Sequence, residues 1–141
     1  MKKIAIVFWS GTGNTQAMAE AAAEGAKAAG AEVSVLGPSD FGPSDVSSYD
    51  AIGFGCPSMG SEVLEEMEFE PMFASVEGSL SGKAIALFGS WGWGEGAWME
   101  DWKARCEADG AILVCDPVIC QEAPDDSAIE ACKELGAKLA G

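Results

Sequence analysis

The chain has 141 residues, 48% of them apolar, and a formal net charge of −15 from 23 acidic and 8 basic side chains. That length suits one domain, here taken as 1-141, with enough buried surface for a core that needs no disulfide staples. The acidity argues against nucleic acid and anionic membrane as partners, and favours a basic protein partner. No run approaches the ~20 apolar residues of a membrane span. Met1-Lys2-Lys3 leads straight into an apolar stretch without a signal-peptide pattern, so a cytoplasmic location is expected.

The chain contains no histidine, and its five cysteines form no Cys-x-x-Cys pair. A zinc or iron–sulfur site therefore has little support, so no metal is expected, and Ser-His and Cys-His nucleophilic catalysis are excluded. Cys115 and Cys120 fall in an apolar strand pattern and read as buried free thiols.

In chain order, Lys3 to Trp9 reads as a central strand with too few polar residues for a half-exposed one. A tight turn follows, Ser10-Gly11-Thr12-Gly13-Asn14-Thr15, and an Ala-rich helix runs from about Thr15 to Ala29, stopped by Gly30. Glycines let backbone approach a ligand closely, and hydroxyls with free helix-terminal N–H groups can surround a phosphate. The turn lacks the lysine of a nucleotide-hydrolysing P-loop and the third glycine of a dinucleotide fingerprint. One small phosphate monoester held by neutral donors fits it best.

Ala31 to Leu36 alternates like a strand near a sheet edge, and residues 37–50 hold turns with at most one short helix around Ser44 to Ser48. Ala51 to Cys56 is a buried strand, followed by a second Gly/Ser-rich loop, Cys56-Pro57-Ser58-Met59-Gly60-Ser61-Glu62. Glu62 to Met67 reads as one helical turn, and Pro71 as the first residue of a helix running to about Val76. Lys83 to Phe88 is the fourth strand, and the third loop, Gly89-Ser90-Trp91-Gly92-Trp93-Gly94-Glu95, follows it. A helix then spans Gly96 to Asp109, with Met99, Trp102 and Cys106 on its core face. Ala111 to Cys115 and Val118 to Cys120 make a last strand. Ser127 to Glu130 has capping-box spacing at the start of a final helix ending by Ala140.

Alternating strands and helices imply an α/β fold: a five-stranded parallel sheet with helices on both faces, in strand order 2-1-3-4-5. The three loops follow strands 1, 3 and 4, so they meet at one edge. A phosphate cradle beside two glycine-flanked tryptophans suits a flat aromatic cofactor carrying a phosphate, with an indole face for stacking. Acidic residues gather after the second loop (Glu62, Glu65, Glu66, Glu68, Glu70) and the third (Glu95, Glu100, Asp101).

Over essentially its full length the chain resembles the short-chain flavodoxins, the type example of that strand order. Ser10 to Thr15 matches the family's phosphate loop, Met59-Gly60 with Glu62 the loop beside the flavin, and Ser90-Trp91-Gly92-Trp93-Gly94 the loop on the other side. The resemblance implies a flavodoxin-like three-layer sandwich that binds FMN and carries single electrons at low potential, rather than an enzyme. It implies that Ser10, Thr12, Asn14, Thr15 and Ser90 hold the phosphate, with Gly11 and Gly13 shaping the turn. It further implies that Trp93 stacks on the isoalloxazine opposite Met59, that Glu62 accepts from the flavin N3–H, and that Gly60 lies beside N5. Gly92 and Gly94 flank the stacking tryptophan. Two positions depart from the family pattern: Pro57 stands where some relatives have a phosphate-binding serine, a contact either lost or taken up by Ser58, and Trp91 replaces the tyrosine often found there. Implied partners are ferredoxin-type oxidoreductases and flavodoxin reductases with basic docking surfaces, met by a monomeric carrier. The alternative is an FMN-dependent NAD(P)H or quinone reductase on the same fold. A receiver-type signalling domain falls away, because Ser10-Gly11 stands where an acidic pair is needed.

Overall fold

The computed structural model describes residues 2–11, 13–59, 64–92 and 96–141. Its parallel sheet contains β1 (Lys3–Phe8), β2 (Glu32–Leu36), β3 (Ala51–Gly55), β4 (Ala84–Trp91), β5 (Ile112–Leu113) and β6 (Val118–Gln121). The order is β2-β1-β3-β4-β5, with β6 also paired to β4, which matches the expected 2-1-3-4-5 architecture. β5 and β6 lie at successive heights along β4, against Ala84–Ile85 and Phe88–Trp91 respectively. The expected last strand is thus two short pieces, interrupted where Asp116-Pro117 breaks the ladder.

Burial explains the order. Ile4 to Val7 in β1 and Ala51 to Gly55 in β3 are buried throughout, as befits strands covered on both faces, whereas β2 is largely half-exposed at the edge. On one face pack α2 (Phe69–Val76) and α3 (Ala97–Ala108). Trp102 meets Phe69 and Phe73 edge-on, at centroid distances of 5.5 and 5.7 Å, while the two phenyl rings lie nearly parallel. Met99, Trp102 and Cys106 are all buried there, as their spacing requires. On the other face lie α1 (Asn14–Ala28) and α4 (Asp126–Ala140). These two helices approach so closely that a Cβ on Gly25 would strike the Lys133 carbonyl, and one on Gly136 the Ala22 carbonyl.

Several boundaries differ from expectation. Residues 66–68 form a turn rather than part of a helix, and Pro71 is the third residue of α2, where its missing N–H is still harmless. Residues 37–50 contain two 3-10 turns, Pro38–Asp40 and Pro43–Ser48, instead of one. The cap of α4 is Asp125, whose carboxylate accepts from the Ala128 N–H at 2.8 Å, and Ser127 lies inside the helix. Cys115 and Cys120 are half-buried rather than buried, because Cys115 lies between the two short edge pieces and Cys120 within β6. No helix among the described residues is long and apolar enough to cross a membrane.

Candidate functional site

Four connections leave the sheet on the same side, after β1, β3, β4 and β6, and the backbone ties them together beyond the strands. The Trp9 N–H donates to the Gly55 carbonyl at 3.0 Å, and the Ser58 N–H to the Ser90 carbonyl at 3.0 Å. The Glu122 N–H donates to the Trp91 carbonyl at 2.8 Å. Gly89 permits the closest of these approaches, since a Cβ there would collide with the Cys56 carbonyl. That carbonyl also accepts from the buried Trp98 indole at 3.1 Å, which fixes the start of the second loop.

Between the connections lies a cleft of about 350 Å³. Of the residues singled out in the sequence, Gly11 and Asn14 line it from the first loop, and Pro57, Ser58 and Met59 from the second. Ser90, Trp91 and Gly92 line it from the third. Thr12, Gly60, Glu62, Trp93 and Gly94 lie outside the described residues.

Ser10, Gly13 and Thr15 do not line the cleft themselves; they lie where α1 begins, beside the lining residues Gly11 and Asn14. The Ser10 hydroxyl accepts from the Gly13 N–H at 3.0 Å and the Gln16 N–H at 3.2 Å, which leaves its own proton to donate. Gly13, at φ 93°, is the N-cap and has no side chain to cap α1, so the Gln16 N–H goes to Ser10, and the first turn carries no acid. The positive end of the helix dipole therefore stays open to an anion. Thr15 and Ser90 are both buried, and their hydroxyl oxygens stand 3.4 Å apart. None of the three loops contains a lysine or arginine.

Two residues of the cleft were not singled out in the sequence. Trp9 lines it and donates its indole N–H to Glu68 at 2.8 Å. As the tail of an apolar strand, Trp9 reads as core, and only its position at the strand's C-terminal end signals otherwise. Glu122 lines the opposite side at φ 54°, the positive φ of a non-glycine residue among the described ones. The signal for it was its place after the last strand, on the same sheet edge as the other loops.

The acidic cluster after the second loop divides by task. Glu65 is buried and accepts from the Met67, Glu68 and Phe69 N–H groups at 2.7 to 2.8 Å, capping α2. Burial opposes its charge, but the three donors outweigh that and hold its carboxyl below the usual range. Glu70 and Glu77 clasp Arg105 with both oxygens each, at 2.7 to 2.9 Å. Of the described acids in this stretch, Glu66 and Glu68 remain exposed. The Cys56 thiol is pushed far up by burial, and its sulfur accepts from the Glu65 N–H at 3.3 Å, so it is a packing residue beside the cleft.

A phosphate-bearing flat aromatic fits these residues. The unused Ser10 proton and the open end of α1 suit the phosphate, while Trp9, Trp91 and Met59 wall the cleft with apolar surface. The comparisons agree. A family model described as "Flavodoxin" matches residues 6–136. A flavodoxin of Clostridium beijerinckii is 45% identical over 96% of this chain and 97% of its own. One of Megasphaera elsdenii is 47% identical over 94% and 95%. The solution structure of the two-electron reduced Megasphaera elsdenii flavodoxin superposes with a TM-score of 0.89 over 97% of this chain and 98% of that one. An archaeal flavodoxin, at 28% identity, has a TM-score of 0.84 over 98% and 96%. These relatives do not favour the reductase alternative. The chain belongs to the flavodoxin family, whose members bind FMN and transfer electrons between redox partners rather than catalyse a reaction of their own.

Proposed function

We propose that this flavodoxin works as a low-potential, one-electron carrier whose FMN lies in the cleft with its phosphate at the start of α1. FMN supplies the ring that accepts and gives up electrons; the chain binds it and sets the energy of that exchange. Ser10 and Thr15, with Ser90 from the third loop and Asn14 at the cleft, offer hydroxyl and amide donors to the phosphate. Thr12 belongs with them by family pattern. Gly11 and Gly13 keep the turn narrow, and Ser58 stands beside Pro57 in the place of the family's serine. Met59 and Trp91 flank the ring, with Gly92 allowing close approach; Gly60, Glu62, Trp93 and Gly94 complete that wall by family pattern.

The observation that carries the low-potential reading is the absence of any basic residue from the three loops, together with Glu122 lining the cleft and the Glu68 carboxylate behind its Trp9 wall. Adding negative charge to a group already surrounded by uncompensated negative charge is unfavourable. An anaerobic reductive titration tests this, run alongside turnover assays with NADH, NADPH and quinones. The reading requires two separable one-electron steps, the second below the potential of free FMN, and no turnover without a partner protein. A second step at or above that of free FMN would overturn the low-potential reading, and rapid quinone turnover the carrier reading. Partners of the ferredoxin-type oxidoreductase and flavodoxin reductase classes, met in the cytoplasm by a monomer through basic surfaces, complete the proposal.

A further inference from the structure

We infer that Glu68 is a positioning residue for the FMN cleft, acting through Trp9, and that this strap fixes the wall against which the cofactor's ring and ribityl chain pack. The inference rests on the FMN reading of the cleft. Three observations carry it. The Trp9 indole N–H donates to the Glu68 carboxylate at 2.8 Å, joining residues 59 apart. The Trp9 ring lines the cleft and lies over Gly11, where a Cβ would stand 3.0 Å from its Cη2 atom. Finally, both ends of the strap are anchored. The Glu68 N–H donates to the buried Glu65 carboxylate at 2.7 Å, and the Trp9 N–H to the Gly55 carbonyl at 3.0 Å.

A tryptophan at the mouth of a cleft has other rotamers open to it, several of which would leave the ring in solvent or across the cavity. Its backbone is fixed by β-ladder bonding, so χ1 and χ2 decide where the wall stands. A single acceptor at the indole nitrogen selects one such orientation. The acceptor is exposed, so the bond contributes little to global stability. Its effect is on which ring position is populated when the cofactor arrives, a preorganisation effect. With its indole N–H given to Glu68, Trp9 presents an apolar ring face and no donor of its own to a phosphate, so the strap acts on the ring side of the ligand. FMN and riboflavin must then feel it equally.

The test is a double-mutant cycle on the full chain, stripped of cofactor and titrated with FMN and with riboflavin. Glu68→Ala should weaken both ligands by the same factor, about three- to tenfold for one exposed hydrogen bond to a charged group. Glu68→Gln, which keeps an acceptor oxygen but not the charge, should restore most of that loss. Trp9→Phe should produce a loss of its own, and adding Glu68→Ala to it should cost nothing further. The near-UV circular dichroism of Trp9 should change in Glu68→Ala and recover in Glu68→Gln. Additive losses in the cycle, or a Gln variant as weak as the Ala variant, would overturn the strap while leaving FMN binding intact. A wild-type chain that binds neither ligand would overturn the FMN reading and the strap with it.

Discussion

The hydroxyl oxygens of Thr15 and Ser90 stand 3.4 Å apart in a buried setting, although 75 positions separate them in the chain. Thr15 belongs to the first turn of α1 and Ser90 to the end of β4, so the pair joins the first and third loops at one point. Each hydroxyl has one proton, and the pair can use only one of them internally. The other is free to donate to an anion placed between the loops.

Replacing either residue therefore affects phosphate more than ring. Thr15→Val or Ser90→Ala should weaken FMN by about ten- to a hundredfold, the usual loss for one hydrogen bond to a charged group, and riboflavin much less. Fluorescence titration of the two ligands measures the difference. Equal losses would place the phosphate elsewhere.

Helix packing yields a stability prediction. Gly25 and Gly136 each face the backbone of the opposing helix, with no room for a methyl group. Gly25→Ala or Gly136→Ala should lower stability by about 1–3 kcal/mol, the range for overpacking, despite the better helix propensity of alanine. Urea denaturation checks this. A raised midpoint would mean that the helices can separate without penalty.

The buried cap of α2 predicts a pH dependence. The Glu65 carboxyl is held below its ordinary range by three N–H donors that outweigh its burial. A depressed carboxylate contributes stability above its unfolded pKa, and the contribution is lost as pH falls through the folded value. Glu65→Gln should thus be about 1–3 kcal/mol less stable than the wild type at neutral pH. That gap should narrow as pH falls below the ordinary carboxylate range. A gap that does not change with pH would assign the effect to shape rather than charge.

Much of the site was legible because its loops are punctuated in the same way. Gly11-Thr12-Gly13, Gly60 and Gly92-Trp93-Gly94 each interrupt the chain just past an apolar run, and such runs are what parallel strands look like. Side-chain tasks were harder to read. Glu65, Glu68 and Glu70 look alike in sequence, yet one caps a helix, one holds an indole and one clasps Arg105. Only tertiary placement separates them. Asp125 and Ser127 both satisfy the preference for an N-cap; Asp125 takes the role with an extended backbone, and the helix has already begun at Asp126. The broken edge of β5 and β6 was blurred because apolar residues stand on both sides of Asp116-Pro117, so the two pieces read as one strand.

Charge makes a kinetic prediction. Glu66, Glu100 and Asp101 are exposed around the loops, and the whole chain carries −15. Electron transfer to a basic partner should slow as ionic strength rises, because the Debye length falls from about 10 Å at 0.1 M salt to about 3 Å at 1 M. Stopped-flow rates across that range measure it. A flat profile would show that encounter is not steered by these acids.

The central claim is that a cleft without cations recognises FMN by its single phosphate and its ring together. Titration of the cofactor-free protein with FMN, riboflavin and FAD, under one set of conditions, tests it most directly. Two or more hydrogen bonds to the phosphate predict that FMN binds more than about a hundredfold tighter than riboflavin. FAD should be the weaker of the two phosphate-bearing ligands. Equal affinity for FMN and riboflavin, or a preference for FAD, would contradict the account.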